Sequence, residues 1–216
     1  MKELFALLAL GFASMIAASP AAAKTPAEAY AACLAQSRSP QVRELLQAAT
    51  VDAANRPYAS LANDDRCFSR VFGNRPVRPE EMAPSLDFLR GNLAEQALRA
   101  DESRVAALQA LPLQQKRYIR PWFAATGRHP AVDEMGACMA DTDPAGIATL
   151  IRTEPGSAEE NSALSGLSPA LTKCLSAGTR LDASREALRA ALADALYQRL
   201  NNPSLSLANL APERGE

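Results

Sequence analysis

Leu188, Leu192, Leu196 and Leu200 recur every four residues, with Ala191 and Ala195 beside them. Leu86, Leu89, Leu93 and Ala97 repeat the spacing in the first half of the chain. A period near 3.6 gathers such residues on one helical face, and a single apolar face marks the side that is buried. No run alternates as a half-buried strand does, and β-branched residues are sparse. The pattern predicts an all-α fold with about four helices in each half. These are 26–37, 40–49, 57–72 and 84–99, then 131–141, 144–153, 168–177 and 182–200.

Polar residues punctuate the apolar stripes where helices start. Thr25-Pro26-Ala27-Glu28 combines a capping hydroxyl, a first-turn proline and a glutamate able to reach back to the cap. Ser39-Pro40, Asp143-Pro144 and Ser168-Pro169 repeat the cap and proline, and Ser157-x-x-Glu160 is a further capping box. Gly73, Gly127 and Gly178 stand where helices can end. Residues 105–112 read as a short helix, and 113–127 as another bent at Pro121. The tail from Asn202 carries no helical stripe and is expected to be loose.

The halves match in more than periodicity. Cys33 and Cys67 are followed by Leu89-Arg90-x-x-Leu93-Ala94-Glu95, and Cys138 and Cys174 by Leu188-Arg189-x-x-Leu192-Ala193-Asp194. With Cys33 placed on Cys138, Val42, Leu45 and Leu46 fall on Ile147, Leu150 and Ile151. This order predicts tandem duplicated helical units: 24–100 as the first, 101–129 as a connecting helical segment, 130–201 as the second and 202–216 as a flexible tail. Four cysteines allow three pairings. Matching units favour Cys33 with Cys67 and Cys138 with Cys174, each closing a loop worth about 3.5–4 kcal/mol by chain entropy. Free thiols are the alternative. A zinc site is disfavoured, because there is no C-x-x-C and the only histidine, His129, has no ligand spacing.

Composition places the chain in a compartment. Lys2 followed by an apolar run from Leu4 to Ala18 and by Ala21-Ala22-Ala23 reads as a signal peptide over 1–23. The run is short for a membrane span, which needs roughly 20 apolar residues, so no stable span is expected after processing. An exported protein in the bacterial periplasm or extracellular space follows, where disulfides persist. The net charge of −1 argues against nucleic-acid binding, which usually needs a basic face.

Little in the sequence points to chemistry. Asp141-x-Asp143 begins like a calcium loop but meets Pro144, so its expected role is capping. Gly-rich phosphate loops and nucleophile elbows are absent, and no metal or cofactor is expected. The densest unusual segment holds Lys116, Arg117, Tyr118, Arg120, Trp122, Arg128 and His129. Arginines among aromatics can grip an anionic polymer, a lipid headgroup or an acidic partner. Alternatively, Tyr118 and Trp122 share a helical face as core, with basic neighbours in water. Arg90 and Glu95 stand about 140° apart on a helix, too far to pair with each other. Cross-pairing between units, Arg90 with Asp194 and Arg189 with Glu95, is therefore the structural expectation. Solvated surface charge is its alternative.

These readings lead to a secreted or periplasmic, non-enzymatic helical module that binds or scaffolds an envelope protein. The alternatives are a binder of a small molecule or anionic envelope polymer in a cleft between the units, near Trp122, Arg117 and Arg120, and an enzyme of unknown class.

Overall fold

The structure, a computed structural model, describes residues 25–73, 84–114, 118–175 and 183–207. Among these residues there are eleven α-helices and one 3-10 helix, and no strand. The expected signal peptide, Gly178 and the last residues of the tail lie outside the described residues, as do Lys116 and Arg117.

The first half contains α1 (Pro26–Ser37), α2 (Ser39–Gln47), α3 (Val51–Ala62), α4 (Asp65–Phe72), α5 (Leu86–Ala100) and α6 (Glu102–Ala106). After the 3-10 helix Pro121–Ala125 come α7 (Pro130–Thr142), α8 (Pro144–Arg152), α9 (Ala158–Cys174), α10 (Arg185–Asn201) and α11 (Pro203–Leu207). Thr25 and Glu28 form the expected capping box. Asp143, Ser157 and Ser184 cap α8, α9 and α10 through their side chains.

Five stretches depart from the sequence pattern. The expected helix 57–72 is two, because Asp64 accepts from the Cys67 amide at 2.9 Å and starts a new helix. Ser168-Pro169 starts nothing: Ser157 is the cap, and Pro169 lies inside α9. The carbonyl that Pro169 cannot satisfy belongs to Ser165, which is exposed to solvent. Ser39 is the first residue of α2 rather than its cap. The connecting segment is mostly not helical. The Leu111 amide donates to the Asp141 carbonyl at 2.7 Å, which ties an extended stretch to the end of α7. In the tail, Pro203 opens the short helix α11.

One apolar core runs through both halves. Its axis is α10, buried continuously from Arg189 to Leu200. This helix packs mainly against α5 and α7, while α1 lies against α5 as α7 lies against α10. The residues matched between halves, Val42, Leu45 and Leu46 with Ile147, Leu150 and Ile151, are all buried. Disulfides join Cys33 to Cys67 and Cys138 to Cys174, as the repeated spacing favours. Ser37 Oγ lies 3.4 Å from Cys67 Sγ, and its counterpart Thr142 Oγ1 lies 3.7 Å from Cys174 Sγ.

At the crossing of α5 and α10, Gly91 faces Ala190, the residue at the corresponding place in the other half. A Cβ on Gly91 would stand 2.4 Å from the Ala190 Cβ and 2.5 Å from its Cα. The missing side chain is what allows the two helices to come this close.

Candidate functional site

The chemistry-bearing side chains gather where the halves meet. Arg90 donates through Nε to Asp194 at 2.7 Å, and both side chains are fully buried. Arg189 grips Glu95 with two bonds of 2.8 Å. Each arginine also reaches the C-terminal end of the second helix of its own half. Arg90 donates to the Leu45 and Leu46 carbonyls at 2.5 and 2.8 Å, and Arg189 to the Ile151 carbonyl at 3.3 Å. The last carbonyls of a helix lack partners within it and carry partial negative charge, so a guanidinium suits them.

The side chain one turn beyond each acid follows the same plan. Arg99 bonds Glu95 at 2.7 Å and the Ile151 carbonyl at 2.8 Å. Gln198 approaches Asp194 at 3.4 Å and the Leu46 carbonyl at 2.5 Å. Corresponding groups in the two halves therefore make corresponding contacts across the interface.

Each acid is completed differently. Arg128 enters the first cluster, donating to Asp133 at 2.7 Å and to Asp194 at 2.5 Å. Glu160 enters the second, accepting from Arg189 at 2.9 Å. Two arginines then face two carboxylates in each cluster: Arg90 and Arg128 with Asp194 and Asp133, and Arg189 and Arg99 with Glu95 and Glu160. Buried charges persist when balanced and hydrogen-bonded in this way. Burial alone would raise the Asp194 carboxyl, but Arg90 and Arg128 outweigh it and hold that group below the ordinary carboxylate range. Burial dominates at Asp133 and pushes its carboxyl up, despite Arg128 and the 2.6 Å bond from Thr126.

The basic aromatic segment divides between interior and surface. Tyr118, Arg120 and Trp122 are buried, and the Arg128 side chain is 5% exposed and committed to its two carboxylates. Tyr118 and Trp122 do not share a helical face, because only Trp122 lies on the 3-10 turn. His129 is exposed, and its Nδ1 accepts from the Ala131 amide at the start of α7. Ile119 points outward, 66% exposed. Asp141 is not a capping residue. It is buried and pairs with Arg120 at 3.0 Å, with Arg199 Nε at 3.6 Å. Trp122 and Arg120 do border a cavity near the meeting of the halves, but its volume is about 10 Å³, space for roughly one water.

The roles of Arg128, Arg120, Arg199 and Gln198 within these clusters were not legible beforehand. Gln198 left one usable trace, its place one turn after Asp194, matching Arg99 after Glu95. Larger open concavities lie elsewhere. One of about 530 Å³, between α2 and α3, has Ala48, Ala49 and Ala53 among its lining and Glu44, Asp52 and Arg56 around it. Another of about 170 Å³ lies among Arg99, Glu102, Ala148 and Arg152. Among the described residues no group of three or more His, Cys, Asp or Glu side chains is placed to hold a metal ion, and no helix is long and apolar enough to cross a membrane. Comparison with known proteins finds no matching family model, no similar characterised protein and no similar solved structure.

Proposed function

We propose that this chain is an exported, non-enzymatic helical module that binds or scaffolds an envelope protein, and that its halves descend from one duplicated unit. Export is supported by the two disulfides, which fit an oxidising compartment, together with the signal-like pattern of 1–23. Duplication is supported by Gly91 meeting its counterpart Ala190 and by the reciprocal arginine–carboxylate contacts.

The observation that carries the binding reading is the distribution of charged groups. The buried carboxylates that would suit acid–base work, Asp194, Glu95, Asp133 and Asp141, all accept from arginines and serve to join elements. The open concavity between α2 and α3, by contrast, is lined by alanines and by surface charges of both signs. Small residues let a partner's backbone come close. Glu44 and Asp52 outweigh Arg56, which favours a helical partner segment carrying a basic residue.

A photo-crosslinking residue at Ala49, compared with one at exposed Ser165 on α9, tests this in the native envelope. Support requires one defined protein crosslinked at 49 and not at 165, whose affinity for the purified chain falls at least tenfold with Ala49→Arg. Identical crosslinking from both positions would overturn the reading. So would catalytic turnover by the purified chain that a single side-chain substitution abolishes.

A further inference from the structure

The concavity of about 170 Å³ between α5, α6 and α8 has an apolar floor and a charged rim. Leu98, Val105, Ala148 and Ile151 form the floor, none more than 4% exposed. Arg99, Glu102 and Arg152 form the rim. An apolar space of about 150 Å³ is enough for a benzene ring.

The rim carries unused hydrogen-bonding groups of both kinds. Arg152 meets Glu102 end-on at 2.7 Å, through Nε and one carboxylate oxygen. Among the described residues, the other Arg152 N–H groups and the second Glu102 oxygen make no hydrogen bond. Arg99 is held through Nε and Nη2 by Glu95 and by the Ile151 and Thr153 carbonyls, and its Nη1 has no partner among the described residues. Each rim arginine is already matched by a carboxylate, Arg99 by Glu95 and Arg152 by Glu102. A rim so balanced, with an anionic and a cationic side, suits a zwitterion better than a simple anion.

The corresponding place in the other half is built differently. Tyr197 stands eight residues after Arg189 as Leu98 stands eight after Arg90, and Arg43 stands ten after Cys33 as Ala148 stands ten after Cys138. Tyr197 is buried, and Arg43 lies near enough for its charge to act on the phenol. Glu102 and Arg152 correspond to the uncharged Asn201 and Gln47. Smaller floor residues and a charged rim pair therefore occur together, in one place and not in its counterpart. Packing common to both halves explains neither.

We propose that this concavity binds a free α-amino acid with an apolar side chain of aromatic size. The side chain lies on the floor, where burial from water favours it. The Glu102 carboxylate accepts from the ammonium, while the free N–H groups of Arg152 and Arg99 donate to the carboxylate. The site is separate from the α2–α3 groove, so its failure leaves the envelope-protein reading standing.

Methyl resonances of Ile151 and Val105 in the full chain after export report on the floor. Titrated with L-phenylalanine they should shift saturably, and the unfolding temperature should rise in step. Phenylethylamine, 3-phenylpropanoate and L-alanine each lack one recognised group and should bind about tenfold more weakly or worse. Glu102→Gln keeps an oxygen for Arg152 Nε. It should weaken phenylalanine about fivefold and leave 3-phenylpropanoate unchanged. Arg152→Gln should weaken phenylalanine similarly and leave phenylethylamine unchanged. Ala148→Arg, which installs the residue of the other half, should abolish the response with an unchanged helical spectrum. Methyl resonances indifferent to phenylalanine would overturn the proposal. Equal binding of phenylalanine and 3-phenylpropanoate would overturn it in favour of a simple carboxylate site. A response that survives Ala148→Arg would overturn it in favour of binding elsewhere.

Discussion

Arg90 and Asp194, 104 residues apart in sequence, meet at 2.7 Å with neither side chain exposed to solvent. Arg189 and Glu95 form the reciprocal contact at 2.8 Å. Each arginine joins three parts of the molecule: its own α5 or α10, the C-terminal end of α2 or α8, and the acid of the opposite half. These contacts fix how α5 and α10 are turned against one another, a choice that apolar packing between alanine- and leucine-rich faces leaves open. This assigns the pairs to specificity of packing as much as to stability.

Asp194→Asn should change how stability depends on pH. The Asp194 carboxyl titrates lower in the folded chain than in the unfolded one, where the value is about 3.9. Its contribution is therefore complete above that unfolded value and is lost as pH falls through the folded one. Urea midpoints measured between about pH 6 and pH 2.5 should decline less steeply on the acid side in the variant. Asp133 acts oppositely: its raised carboxyl favours folding at low pH, and that advantage fades as pH rises through the folded value. Asp133→Asn should therefore flatten this opposing trend.

Gly91→Ala should destabilise by about 1–3 kcal/mol, the usual cost of overpacking. The new Cβ would stand 2.5 Å from the Ala190 Cα and 2.7 Å from its carbonyl oxygen, so α5 and α10 must separate. Adding Ala190→Gly should restore only part of the loss, because those backbone atoms remain. Thermal unfolding of the single and double variants measures this, and a neutral Gly91→Ala would show that the crossing is looser.

The disulfides should differ in ease of reduction. Cys33 and Cys67 are both buried, whereas Cys174 is half-buried at the end of α9. A thiolate must reach a sulfur to attack it. Under limiting reductant in native buffer, peptide mapping with alkylation should find Cys138 and Cys174 labelled first. Losing either bridge should cost about 2–5 kcal/mol.

The legible part of the fold was the part governed by local rules. Heptad-like leucines and capping residues located α1, α2, α5, α7, α8 and α10, because amphipathic spacing and orphaned N–H groups act within a few residues. The cysteine pairing followed from spacing repeated between halves. The described residues from 111 to 114 and from 118 to 127 were illegible because their conformation is set from outside, by the bond of Leu111 to the Asp141 carbonyl and by the burial of Tyr118 and Trp122. For the same reason, Arg128 read as a candidate binding group when it is a third partner to Asp194. Charge alone does not reveal burial: Arg120 and Arg128 look in sequence like surface arginines such as Arg104, which is over half exposed.

The claim that reciprocal Arg–acid pairs hold the halves in register is tested most directly by a double-mutant cycle on Arg189 and Glu95. Arg189→Gln, Glu95→Gln and the double variant would be unfolded in urea at pH 7. Each single change should cost about 3–5 kcal/mol, because it strands a buried charge. The double variant should be at least about 1.5 kcal/mol more stable than the sum of the singles, the coupling of groups in contact. Additivity within about 0.5 kcal/mol would contradict the account.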